Sequence, residues 1–296
     1  METQTLKPTI ERIIAAIPAW RSAIIHYEPL KGGFTNDTYI VTVDGKSYVV
    51  RINGTQNQFL GLSRHLELLA IEQASKLEIA PRVFKWGNPD EVLITEYLPD
   101  GQVQPEDAHK PQVISQLAAL LKKIHAIEGV ERYNNPFEMI ERYITSAERL
   151  GVSKPDGLAP HLARMVEIAE QRKNAVEKYC HNDIFTFNLL WDDGQLRAVD
   201  WELSGYGDIY FELAVVAFSN HFSAEEERQL LTAYFGEYND DMQQILMAMR
   251  YVCLIREVAW AMLMTAIVRD PVNHHMDYLA FQKQVIERLD GGYLDL

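Results

Sequence analysis

The chain changes its periodicity once, and that change restricts the fold more than any single motif. Up to about residue 98, short runs rich in β-branched and aromatic residues alternate with helical stretches. Runs 38–43 and 46–52 flank Asp44-Gly45, the dipeptide most characteristic of a two-residue hairpin. Helices are predicted over 6–17, stopped by Pro18, and over 63–77, with Pro81 beyond its end. Two more strands are expected over 82–86 and 92–97. Pro99-Asp100-Gly101 has turn chemistry and is the best linker. From about residue 103 the pattern is mostly helical: 109–126, 136–150, 160–176, 208–220, 224–235, 241–268 and 276–289. Two short apolar runs, 189–191 and 196–199, surround the turn Asp192-Asp193-Gly194. Regular alternation of strand and helix would give a parallel sheet. This order instead predicts an α+β protein with two lobes: a small sheet-and-helix lobe over 1–98 and a larger, mostly helical lobe over 99–296. Ligand sites commonly lie between such lobes.

Composition narrows the function. The chain has 296 residues, 47% of them hydrophobic and 24% charged, enough to bury a core without disulfides or metals. The net charge is 28 − 42 = −14, which repels phosphate backbones and argues against general nucleic-acid binding. Neither Cys180 nor Cys253 stands in a Cys-x-x-Cys pair, and both read as reduced, buried thiols. The first residues lack the basic and apolar pattern of a secretory leader. No apolar run approaches the roughly 20 residues of a membrane span. A cytoplasmic protein is expected.

The chemistry concentrates in 180–202, CHNDIFTFNLLWDDGQLRAVDWE. It contains His181-x-Asp183, then Asn188, then Asp200 after a hairpin-like insertion. Phosphoryl transfer needs such a set: one carboxylate to orient the attacking hydroxyl and accept its proton, and an amide oxygen and a second carboxylate to hold Mg²⁺ on the phosphates. Magnesium prefers hard oxygen ligands and keeps several waters, so two protein oxygens suffice.

On these residues the chain resembles the choline/ethanolamine kinase family within the aminoglycoside phosphotransferase superfamily, small-molecule kinases with a protein-kinase-like fold. The resemblance runs through LKGGFTNDTYIV, YVVRING, HNDIFTFN and DWELSGYGDIYFELA, and so covers nearly the whole chain. HND with Asn182 is nearer to choline kinases than the HGD of many aminoglycoside kinases. The last segment is also similar to bacterial thiamine kinases. The resemblance implies ATP and Mg²⁺ as cofactors. It makes Asp183 the catalytic base and His181 a brace for its loop, with Asn188 and Asp200 on the metal. It sets Arg51 on the nucleotide phosphates with Glu67 as its partner, Arg64 being a competing one. It gives Gly33, Thr35 and Asn36 to a phosphate-side turn, and makes Glu96, Tyr97 and Leu98 the hinge that meets adenine. No G-x-G-x-x-G exists, DWE stands in place of DFG, and no A-P-E segment follows, so a protein kinase is not supported.

The acceptor is less constrained. A cationic alcohol wants ring faces and a carboxylate. Trp260, Glu257, Tyr206 and Glu202 are the candidates, with Tyr210, Phe211 and Phe218 as further rings. Trp260 also continues the apolar stripe Val252, Ile255, Ala259, Leu263 and Ala266, and so reads equally as core. Leu203 stands where choline kinases usually carry an aromatic residue. The expected activity is ATP- and Mg²⁺-dependent phosphorylation of a small cationic alcohol, choline first, then ethanolamine or thiamine. The alternatives are an aminoglycoside phosphotransferase and a non-catalytic nucleotide-binding regulator. The sequence leaves the oligomeric state open.

Overall fold

A computed structural model describes residues 9–30, 36–54, 57–268 and 276–291. The chain opens with α1 (Ile10–Ala16), whose Ile10 and Ile13 are buried, and a short 3-10 turn carrying buried Trp20. Strands β1 (Ile25–Pro29), β2 (Asp37–Val43) and β3 (Lys46–Ile52) follow. Asp44 at φ 47° and Gly45 at φ 84° supply the two left-handed residues of the tight β2–β3 turn. Next come α2 (Asn57–Leu60), α3 (Arg64–Lys76) and β4 (Val92–Glu96). The four strands form one antiparallel sheet in chain order. Val41, Val50, Ile52, Val92 and Ile94 close its inner face on α1 and Trp20.

The second lobe contains α4 (Pro105–Ala108), α5 (Pro111–Ile124), α6 (Pro136–Arg149), α7 (Leu158–Arg172), β5 (Glu177–Cys180), β6 (Leu189–Asp192), β7 (Gln195–Ala198), β8 (Gly205–Asp208), α8 (Ile209–Ser219), α9 (Ala224–Phe235), α10 (Asp240–Ile267) and α11 (Tyr278–Asp290). α10 packs against α6, α8 and α11. α8 has ten buried residues, which makes it the centre of the larger core. Tyr210, Phe211 and Phe218 are therefore core residues, and Trp260 is the half-buried edge of that core. Among the described residues no helix is long and apolar enough to cross a membrane. Cys180 and Cys253 are free and buried, as expected.

The expected strand over 82–86 is instead a brief edge contact. Phe84 N–H donates to Ile94, Glu96 N–H donates to Arg82, and Val83 meets Thr95 as an isolated bridge. Gly87, at φ 75°, then turns the chain away. Strands β5 and β8 were not expected, because GYGD has the composition of a turn. A close approach dictates it: a Cβ on Gly205 would lie 3.0 Å from the Arg132 carbonyl oxygen, and one on Gly207 3.2 Å from that of Asn134. Asp208 caps α8, accepting from Tyr210 N–H at 2.9 Å, and is held bidentately by Arg172.

Candidate active site

The loop between β5 and β6 is fixed from behind by a buried carboxylate. Glu212, fully buried on α8, accepts from the backbone N–H of His181 at 2.5 Å and of Asn182 at 2.9 Å through one oxygen. Its other oxygen meets His125 Nε2, whose Nδ1 meets the Tyr234 hydroxyl. Asn182 sits at φ 67°, a conformation Asn tolerates better than most residues. Burial pulls the His181 ring down to about 4, so it is neutral near pH 7; its Nε2 donates to the Val199 carbonyl at 3.0 Å. His181 thus ties the loop to the chain just before Asp200.

That bracing presents Asp183. Asn188 donates from Nδ2 to the Asp183 main-chain carbonyl at 2.9 Å and to its Oδ2 at 3.0 Å. Spending both amide protons there turns the Asn188 Oδ1 lone pairs away from Asp183. Arg256 of α10 donates to the Asn182 carbonyl at 2.9 Å, lies 3.8 Å from Asp183 Oδ1, and pairs with Glu257 at 2.9 Å. Burial pushes the Asp183 carboxyl up to about 7; Arg256 opposes this, and Glu257 and Glu202 add to it.

A chain of alternating charges joins the lobes. Arg51 of β3 donates to Glu67 at 2.7 Å and to Asp200 Oδ1 at 3.3 Å. Arg64 also reaches Glu67, at 2.9 Å, and Glu202, at 2.7 Å. Glu67 therefore has two arginines. Its burial pushes the carboxyl up, but Arg51 and Arg64 overcome this and hold it below the ordinary range. Ser63 caps the start of α3 and so sets the phase that turns Arg64 and Glu67 inward. Asp200 adopts φ 64°. Burial and neighbouring Glu202 push its carboxyl well up, against the pull of Arg51. Asp200 is partly exposed, and with Asn188 Oδ1 it supplies hard oxygen donors of the kind magnesium takes. The residues present therefore fit that ion.

The segment 200–204 is anchored along its backbone. Arg132 donates to the Glu202 carbonyl at 2.6 Å, and Asn134 and Asn182 both donate to that of Leu203, at 2.5 and 3.1 Å.

The other sequence-predicted residues fall into three groups. Asn36 accepts from Gly54 N–H at 3.1 Å and Arg64 at 3.2 Å, so its side chain organises the turn end. Gly33 and Thr35 lie outside the described residues. In the 96–98 segment, Glu96 turns its carboxylate back onto Arg82 N–H at 2.8 Å, Tyr97 N–H donates to Ser47, and Leu98 is buried. On α10, Trp260 stands one turn beyond Arg256 on the same face and meets Tyr278 edge-on at 5.7 Å. Tyr206 instead packs on Tyr179 and Tyr133 from β8, and Glu202 is engaged by Arg64. Sequence reasoning missed Glu212, His125, Tyr234 and Arg132. Glu212 is a charge inside the apolar run 211–218, which was the one available signal.

The phosphotransferase enzyme family profile matches residues 26–247, three-quarters of the chain, so the chain belongs to that family. Protein LicA of Haemophilus influenzae is 26% identical over 215 residues, covering 70% of this chain and 62% of that protein. The chain thus spans less than two-thirds of that relative's length. Thiamine kinase of Escherichia coli is 27% identical over 206 residues, 68% of each chain. The crystal structure of a choline/ethanolamine kinase family protein from Mesorhizobium loti superposes with a TM-score of 0.77 at 23% identity, covering 94% of this chain and 91% of that one. That likeness establishes the kinase-like two-lobed fold.

Proposed function

We propose that the protein transfers the γ-phosphoryl group of ATP to the hydroxyl of a small cationic alcohol, choline being the best single acceptor and ethanolamine and thiamine the next. One observation carries the reading. Asn188 is bonded to Asp183 by both protons of its amide, while Arg51 links Glu67 to Asp200 across the lobes. A base, an amide oxygen, a carboxylate and a guanidinium thus converge as phosphoryl transfer requires.

In this reading residues 1–98 hold the nucleotide and 99–296 hold the acceptor and the catalytic groups. Asp183 orients the acceptor hydroxyl and takes its proton as the oxygen attacks phosphorus. A carboxyl near 7 suits a base that works near neutrality. Asn188 and Asp200 hold Mg²⁺, which neutralises phosphate charge when bound. Arg51 contacts the phosphates, and Glu67, steadied by Arg64, keeps the guanidinium extended. The 31–36 turn, with Gly33, Thr35 and Asn36, covers the phosphates. The 96–98 segment meets the adenine. His181 braces the loop. Glu257 supplies negative charge and Trp260 a ring face to the acceptor; Tyr206 and Glu202 support the pocket's floor.

ADP release is measured with ATP and Mg²⁺ against choline, ethanolamine, thiamine and kanamycin. Turnover of choline or thiamine supports the proposal. Turnover of kanamycin alone moves the protein to the aminoglycoside branch. ATP binding with no acceptor turned over supports the non-catalytic alternative.

A further inference from the structure

Between Asp183 and Asn188 the loop carries two phenylalanines that the roles above leave unused. Phe185 is partly buried and has the Arg256 guanidinium over its ring at 5.6 Å. Phe187 stacks on Phe185, with centroids 4.9 Å apart and planes 21° apart. Phe187 is 55% exposed, unusual for a ring one residue before a buried asparagine. The stack therefore runs outward from Arg256, itself 3.8 Å from Asp183, and ends in solvent on the Phe187 face.

Burial does not account for Phe187. A solvated phenylalanine gains little for the fold, since the hydrophobic gain scales with area removed from water. Stacking on Phe185 also fixes the ring, so its face is held rigid. The surroundings are acidic: Asp183, Glu257 and Glu202 all act on this point of the site. A fixed, electron-rich ring face in an acidic mouth favours a weakly hydrated cation. A primary ammonium is strongly hydrated and prefers hydrogen-bonding oxygens.

We propose that Phe187 is a specificity-determining residue of the acceptor site, its exposed ring face receiving a quaternary ammonium whose hydroxyl reaches Asp183. The inference rests on the alcohol-kinase reading and adds to it a selection for quaternary over primary amines. Phe185 sets the ring's position and Arg256 anchors Phe185.

The test compares wild type, Phe187→Ala and Phe187→Trp. KM is measured for choline, ethanolamine and ATP, and choline binding is measured by calorimetry in the presence of ADP and Mg²⁺. Phe187→Ala should raise KM for choline by about three- to thirty-fold, the span of one cation–π contact. KM for ethanolamine and for ATP should change less than about two-fold, and Phe187→Trp should restore choline, because Trp offers the best ring face. An equal rise for choline and ethanolamine, or an unchanged KM for choline, overturns the assignment. Wild type that binds no choline also overturns it. Wild type that binds choline but transfers no phosphate refutes the kinase reading instead, and the calorimetric comparison of the variants then decides the role of Phe187.

Discussion

Removing the Glu212 carboxylate should damage both the fold and the catalytic loop, and the structure sets the size of the effect. The group is fully buried and takes three hydrogen bonds, from His181 N–H, Asn182 N–H and the His125 ring. Glu212→Ala leaves all three partners buried without an acceptor. Losing one member of such a charge-assisted set costs about 3 to 5 kcal/mol. With a urea m-value of about 3 kcal/mol per molar for a chain this long, the unfolding midpoint should fall by about 1 to 1.7 M at constant m. Glu212→Gln keeps one oxygen for the two backbone donors, so its midpoint should fall by less than half as much. Both variants should lose kcat beyond their loss of folded protein, since Asp183 follows the two freed amides directly. The readings are urea denaturation followed by tryptophan fluorescence, and kcat measured where each variant is fully folded. A Glu212→Ala midpoint within 0.3 M (about 1 kcal/mol) of wild type, with unchanged kcat, would refute the bracing argument.

Two further predictions concern the base and the acceptor. Asp183→Asn should lower kcat by about 10²- to 10⁴-fold, the contribution typical of a general base, with the circular dichroism spectrum unchanged; near-wild-type turnover would remove Asp183 from the mechanism. In the wild type, kcat/KM should rise with pH and level off above about 7, because the carboxylate form accepts the proton. The stability sign is the reverse. The folded metal-free chain keeps a proton on Asp183 that the unfolded chain releases from about pH 4, so stability from this group falls as pH climbs from 4 through 7. Urea midpoints of wild type and Asp183→Asn at pH 5 and pH 8 should diverge accordingly. Trp260→Ala should raise KM for choline several-fold and leave KM for ATP in place; equal changes in both would make Trp260 a core residue only.

What the sequence made legible was whatever local chemistry enforces. The β2–β3 hairpin, the Ser63 cap of α3, α9 and α10 all follow from turn residues, caps and 3.6-residue spacing. Asp183, Asn188 and Asp200 were readable because metal and phosphate demand particular oxygens at a fixed spacing. The pieces that escaped depend on distant partners. β8 is a strand because Arg132 and Asn134 come within contact of Gly205 and Gly207, over seventy residues away in the chain. Glu212 is indistinguishable from a surface charge until α8 is seen to lie under the 181–188 loop. The pairing of Arg51 with Glu67 was anticipated; that Arg64 shares the same carboxylate while reaching Glu202 required the lobes to be brought together. The aromatic acceptor residues were least legible, since Trp260, Phe211 and Phe218 look alike as helical apolar positions and differ only in which face is covered.

The three amide and guanidinium donors on the Glu202 and Leu203 carbonyls have a regulatory meaning. To swing Asp200 out of the cleft, the chain must release all of them. At about 1 kcal/mol each, that holds the swung state below about 1% of molecules. The enzyme is thus built without an off position at this segment. Its output is governed by how much nucleotide and acceptor reach it, and a cell that needs less product must make less protein or withhold substrate.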